Sequence, residues 1–189
     1  MRASSRINEL IKESISVKEK TLDFCLDNIL TGYEMIKGSL TSGNKLLIFG
    51  NGGSASDSSH FASEIVGRCV HTSPAQPAIA LSADSSFITA WSNDFGFEEI
   101  YSRQIEAFAQ QGDLAIGIST SGNSPNIVRA FEKAKEIGIR TIGLLGRDGG
   151  KALELADLSI VVPSDSTPRI QEMHITIIHI WCQLLEENF

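Results

Sequence analysis

Before residue 43, apolar residues recur at helical spacing: Ile7, Leu10, Ile11 and Ile15, then Leu22, Leu26, Ile29 and Leu30. Positions three and four apart fall on one stripe of a helix, so the pattern predicts two helices, or one interrupted near Gly32. Further along, the period changes. Short apolar runs at 46–49, 78–81, 114–118, 141–145 and 158–162 are each followed by a stretch of helical length. A last helical pattern runs from about residue 167 to 187, with Ile170, Ile177, Ile178, Trp181, Leu184 and Leu185 on its apolar side. Continuous apolar runs suit strands covered on both faces, and strand–helix alternation implies right-handed crossovers. The expected fold is α/β, a doubly wound five-stranded parallel sheet with an N-terminal helical extension. Residues 1–189 read as a single domain, with 1–42 as a helical oligomerisation element and 43–189 as the α/β core.

A chain of 189 residues is long enough for one such domain with a full core. Its net charge of −7 speaks against nucleic acid, because neutralising phosphates needs a concentrated basic surface. Any anionic ligand must therefore be held by local features. No apolar run is long enough to span a membrane, and the polar start Met1, Arg2, Ala3, Ser4, Ser5 leads into no secretory segment. Cys25, Cys69 and Cys182 are odd in number and scattered, as incidental thiols in a reducing compartment would be. A cytoplasmic location is expected.

Two strand ends carry anion-binding chemistry. Gly50, Asn51, Gly52, Gly53 and Ser54 follow the first apolar run, with Ser54 placed to cap the next helix. Ser119, Thr120, Ser121, Gly122, Asn123 and Ser124 follow the third and open a helix near Pro125. In open parallel sheets ligands sit beyond the carboxyl ends of strands, where helix N-termini and free N–H groups favour an anion. Hydroxyls of Ser119, Thr120, Ser121 and Ser124 suit one phosphate group. Neither loop has the nucleoside-triphosphate signature, and the first lacks the third glycine of a dinucleotide turn. A serine-rich helix cap is the plain alternative for the second loop taken alone.

His60 and Glu64 stand at i and i+4 after the glycine turn and share a helix face. The last helix offers Gln171, Glu172, His174 and His179, with Gln171 and His179 about 80° apart around its axis. Imidazole, carboxylate, amide oxygen and a second imidazole can surround a divalent ion such as Zn²⁺, although the amide is an uncommon ligand. Any one of these histidines alone reads as a structural residue. His71 and His174 are taken as bystanders, and Glu172 as a solvated charge.

Taken together and in order, four motifs resemble the phosphoheptose isomerases of the sugar isomerase (SIS) superfamily. They are Gly50–Ser54 with His60 and Glu64; Ser92, Asn93, Asp94, Phe95, Gly96 and Phe97; Gly117 through Ser124; and Arg169, Ile170, Gln171, Glu172, Met173 and His174 with His179. The resemblance covers essentially the whole chain. It implies a flavodoxin-like three-layer sandwich and a cytoplasmic, zinc-dependent homotetramer with active sites between subunits. Its substrate would be a phosphorylated seven-carbon sugar: sedoheptulose 7-phosphate, converted to D-glycero-D-manno-heptose 7-phosphate as the first step of nucleotide-activated heptose biosynthesis.

Carried over by position, Asn51, Gly52, Gly53, Glu64, Asn93, Asp94, Ser119, Thr120, Ser121, Ser124 and Gln171 contact substrate. His60, Glu64, Gln171 and His179 form the metal site, and Glu64, His179 and Asp57 are the catalytic candidates. Pro168 stands where the family more often has an acidic or small residue. Ketose–aldose interconversion passes a proton between C1 and C2 through an enediol, with Glu64 as base and His179 as acid. Two other readings compete: a non-catalytic, DnaA-binding initiator-associating relative of the same fold, and an isomerase of another phosphosugar. That relative lacks the glutamate and the second histidine, which this chain keeps.

Overall fold

The computed structural model describes residues 3–189; Met1 and Arg2, at the start of the expected N-terminal element, lie outside the described residues. Helix α1 (Ala3–Thr41) is a single helix of 39 residues, neither split nor interrupted at Gly32. Glycine costs a helix about 1 kcal/mol relative to alanine. At this position close packing explains it, because a Cβ on Gly32 would lie 2.7 Å from the Trp181 indole. The stripe that α1 buries is not the most regular apolar one. Val17, Thr21, Cys25, Ile29, Tyr33, Ile36 and Leu40 face the core, whereas Ile7, Ile11, Ile15, Leu22, Leu26 and Leu30 are 50 to 60% exposed.

Five parallel strands follow: β1 (Leu46–Gly50), β2 (Ala78–Ala80), β3 (Leu114–Ser119), β4 (Arg140–Gly146) and β5 (Leu158–Val162). They lie in the order β2-β1-β3-β4-β5, all parallel, which is the flavodoxin-like arrangement. The chain reverses its direction of sheet growth at β1, so the crevice between the ends of β1 and β3 is the topological switch point. Both candidate loops leave from those two ends.

Helices α2 (Gly53–Val66) and α7 (Thr167–Glu186) cover one face together with α1; α3 (Ser85–Asp94), α4 (Ile100–Phe108), α5 (Pro125–Ile137) and the short α6 (Ala152–Leu155) cover the other. Strand alternation divides the core accordingly. Leu46 and Ile48 pack under α1, α2 and α7, while Leu47 and Phe49 pack under α4 and α5. Pro168 falls in the first turn of α7, where a missing N–H leaves no helical bond unmade.

Helix α7 is tied down along its length. Trp181 Nε1 donates to Ile29 O at 2.9 Å, and Arg169 donates to Leu10 O at 2.7 Å. Glu172 is more than the solvated charge expected, since it pairs with Arg169 at 2.8 Å and accepts from Ser14 at 2.7 Å. His174 is fully buried, with its Nε2 bonded to Leu145 O at 2.9 Å and its Nδ1 unpartnered. As a bystander to the cluster it nevertheless fastens α7 to the end of β4.

Two stability effects follow. Gly32→Ala gains helix propensity but drives a methyl into a rigid, fully buried indole, and overpacking of this kind costs about 1–3 kcal/mol. A lowered thermal midpoint is expected, and an unchanged or raised one would refute the close approach. Burial pushes the His174 pKa down to about 4, against about 6.5 unfolded. The unfolded chain therefore binds the extra proton first as pH falls. The contribution of this neutral histidine is complete above pH 6.5 and is lost progressively toward pH 4. Urea unfolding should show His174→Gln losing about 2 kcal/mol less stability than wild type between pH 7 and pH 5.

Candidate active site

The turn from β1 into α2 depends on two glycines. Gly52 takes a positive φ of 57° and is the N-cap residue of α2. The expected Ser54 cap does not form, because Ser54 lies inside the helix, 3% exposed, with its N–H bonded to Asn51 O at 3.0 Å. A side chain at Gly53 would collide with the Gln171 amide. Lacking one, Gly53 lets α7 lay Gln171 directly over the turn.

One to three turns further along α2 stand Asp57, His60 and Glu64. His60 Nε2 is 2.9 Å from Glu64 Oε1, and His179 Nε2 from α7 is 3.6 Å from the same oxygen. The two imidazoles stand edge to face with centroids 5.1 Å apart. The Glu64 side chain is only 11% exposed, and its Oε2 is buried without a hydrogen-bond partner, as is Asp57 Oδ2. Burial holds the Asp57 carboxyl above the usual range, against the opposing pull of His60 and His179.

The donor atoms of His60, Glu64 and His179 all lie within 4.8 Å of one another. Two ligands about 2.1 Å from a tetrahedral ion stand roughly 3.4 Å apart, a spacing that the 2.9 and 3.6 Å separations bracket. Two imidazoles, a carboxylate and an unsatisfied carboxylate oxygen fit a divalent transition metal. Cys69 lies near Glu64 but outside this cluster, and burial, and then the Glu64 charge, push its thiol up to about 11. At the far end of α7, the Glu186 carboxylate accepts from the backbone N–H groups of Cys69, Val70 and His71 at 2.5, 3.0 and 2.9 Å.

The serine loop after β3 forms the opposite wall of the crevice. Ser119 Oγ accepts from Gly122 N at 3.1 Å and closes the loop on itself. Ser124 is the N-cap residue of α5 and makes no side-chain cap bond. Thr120, Ser121 and Ser124 are all partly exposed. A second loop presses on this one, with Ala152 N donating to Gly122 O at 3.0 Å and Lys151 N to Asn123 Oδ1 at 3.1 Å.

Glycine turn and serine loop are joined directly. Asn51 and Asn126 exchange two amide hydrogen bonds of 2.8 Å each, and the Tyr101 hydroxyl donates to Gly50 O beneath them. Asn126 and Tyr101 were not among the residues expected from sequence. Their roles depend on contacts 75 and 51 residues away along the chain, which no local pattern signals. Asn93 and Asp94 end α3 at exposed positions, hydrogen-bonded to each other and to none of the other candidate residues. An apolar cavity of about 400 Å³ between β2, α3 and α4 contains none of the candidate residues.

Hydroxyls and a helix start stand at the end of β3 beside the glycine turn, and an imidazole–carboxylate cluster stands two to three turns along the helix that leaves that turn. Residues 10–146 match the SIS domain family model. The chain is 48% identical over 187 residues to the phosphoheptose isomerase of Helicobacter pylori (strain P12), covering 97% of each chain. It is 61% identical over 145 residues to the phosphoheptose isomerase of Pelobacter propionicus, covering 77% of each. Among solved structures, phosphoheptose isomerase GmhA from Neisseria gonorrhoeae superposes with a TM-score of 0.92 at 37% identity, over 97% of this chain and 98% of that one. The chain belongs to the phosphoheptose isomerase family of SIS-domain proteins, and it is an isomerase.

Proposed function

We propose that this protein interconverts sedoheptulose 7-phosphate and D-glycero-D-manno-heptose 7-phosphate. The observation that carries the reading is the meeting of His60 and Glu64 on α2, the helix that leaves the glycine turn, with His179 on α7. Relatives named phosphoheptose isomerase over nearly the full chain supply the substrate class. In this reading Ser119, Thr120, Ser121 and Ser124 hold the phosphate with the start of α5. Asn51, Gly52, Gly53, Asn93, Asp94 and Gln171 line the sugar.

Glu64 removes the proton from C1 of the open-chain ketose, and His179 supplies a proton to the carbonyl oxygen at C2, giving the enediol. Return of a proton to C2, with loss of the O1 proton, leaves the aldose. Asp57, whose carboxyl burial disfavours as an anion, is placed beside both histidines to assist ring opening. His60, Glu64, His179 and the Gln171 amide would hold a divalent ion, proposed to be Zn²⁺, which when bound supplies polarisation of the sugar oxygens. A carboxylate bound to an ion is a weaker base than a free one, so Glu64 acts best through the oxygen left unpaired, Oε2.

Ile7, Ile11, Ile15, Leu22, Leu26 and Leu30 form an exposed apolar stripe along α1 that suits burial against further copies of the chain. A homotetramer with sites between subunits is therefore part of the proposal. So is a cytoplasmic location, where three free thiols persist. Among the described residues no helix is long and apolar enough to cross a membrane.

A panel of five-, six- and seven-carbon ketose phosphates, assayed with and without chelator, tests the reaction. Turnover should be greatest on the seven-carbon sugar, fall on chelation and return with Zn²⁺. Glu64→Gln and His179→Ala should each lose about 10²-fold or more in kcat while folding normally. Near-normal turnover in either would remove that residue from the chemistry. Light scattering on wild type and on Ile15→Glu/Leu22→Glu tests assembly: a tetramer reduced to smaller species is expected, and a monomeric wild type would overturn it.

A further inference from the structure

We propose that Asn126 is a positioning residue that sets the length of sugar the enzyme accepts, by holding the glycine turn and the serine loop at a fixed separation through Asn51. This rests on the phosphoheptose isomerase reading above. The β1–β3 ladder runs out at the pair Gly50 and Ile118. Beyond that point the two chains diverge into loops, and the Asn51–Asn126 pair is a direct side-chain link between them. Asn51 Nδ2 donates to Asn126 Oδ1 at 2.8 Å, and Asn126 Nδ2 donates back to Asn51 Oδ1 at 2.8 Å. Flipping either amide alone would set oxygen against oxygen and nitrogen against nitrogen, so the pair fixes the two orientations relative to each other.

The surroundings make the link stiff. Asn126 is 2% exposed, as is Tyr101, whose hydroxyl donates to Gly50 O and lies 3.4 Å from Asn51 Oδ1. Burial pushes the Tyr101 phenol up to about 12, so it remains a donor throughout the working range. Buried polar pairs with both partners satisfied are rigid, because breaking one strands a donor and an acceptor away from water.

Position gives the pair its function. Asn51 lies two residues before Gly53, which opens α2, and that helix carries Asp57, His60 and Glu64. Asn126 lies two residues after Ser124, the N-cap of α5 at the phosphate end. Since α2 and α5 pack on opposite faces of the sheet, the pair ties the start of the helix that carries the proton-transfer groups to the start of the helix at the phosphate anchor, and through them bears on the span a sugar bridges. That span must match the carbons between the phosphate and the C1–C2 bond, and small misplacements of reacting groups cost large factors in rate. Asn51 spends an amide donor and an acceptor on Asn126, so it braces the turn and leaves the backbone there to meet the sugar.

Replacing Asn126 by aspartate gives a discriminating test. A neutral carboxyl can donate and accept as an amide does, whereas the ionised form only accepts. Asn126→Ala should lower kcat/KM for sedoheptulose 7-phosphate by about tenfold or more and shrink its advantage over ribulose 5-phosphate by a similar factor. Asn126→Asp should recover both below the pKa of its carboxyl and lose them as pH rises. In the Asn51→Ala background that acid-side recovery should vanish, which separates the brace from simple repulsion between a new carboxylate and the substrate phosphate. An Asn126→Ala enzyme within twofold of wild type and with unchanged length preference overturns the proposal, as does an Asn126→Asp profile that persists without Asn51. Should wild type turn over neither sugar, the reaction assigned above fails, and the brace is judged by NMR alone. Inorganic phosphate at the serine loop should then shift the Asn51 side-chain amide resonances in wild type but not in Asn126→Ala. Unmoved Asn51 resonances in wild type would sink it.

Discussion

The close approach of α7 to the start of α2 is the constraint on which the site depends. A residue with any side chain at position 53 would take the space of the Gln171 amide, which would have to swing off the turn. His179, two turns further along α7, meets Glu64 at 3.6 Å across the same pair of helices. The rest of the packing serves this approach. Trp181 anchors α7 to the backbone of α1, His174 anchors it to the end of β4, and Glu186 reaches across to the three N–H groups that follow α2. Helix α2 is thereby held by α7 at both ends, and its polar face is left little freedom to drift.

Much of this was legible in the sequence, and the reasons for success and failure are physical. The strands were visible because parallel strands covered on both faces are apolar throughout, and β5 has the bounds its composition suggests. His60 and Glu64 were legible as a pair because helical spacing alone brings i and i+4 together. The partnership with His179 was not fixed by spacing; it needed the packing of two helices more than a hundred residues apart. Helix α1 misled at one position. Gly32 looked like a break because composition does not reveal an indole pressed against it. Nor did the pattern show what holds α1 to its own domain: the most regular apolar stripe is largely exposed, and it is the less perfect stripe containing Thr21 and Cys25 that faces the core. Asn126 was invisible for a related reason: asparagine at the start of a helix is ordinary, and only its distant partner gives it meaning.

An acidic protein that handles an anion must do so at short range. With a net charge of −7, the summed field of the chain repels a phosphate. Attraction begins only where N–H groups, hydroxyls and a helix start converge, within the few ångströms of the serine loop. The buried, unpaired carboxylate oxygens of Glu64 and Asp57 stand further along α2, where a positive partner is favoured. In the proposed reading, that separation of acceptors for opposite charges would orient a sugar phosphate before any chemistry begins.

In the proposed reading the phosphate and the reactive carbons belong to different layers of the sandwich, so a bound sugar would lie over the rim of the sheet like a clasp. Its phosphate would grip the layer built from α4 and α5, and its reactive carbons the layer of α1, α2 and α7, whose apolar cores are separate clusters on either side of the strands. Occupancy would then add cohesion between the two halves of the molecule. Departure of product would be, in the same terms, a loosening of the sandwich at its rim.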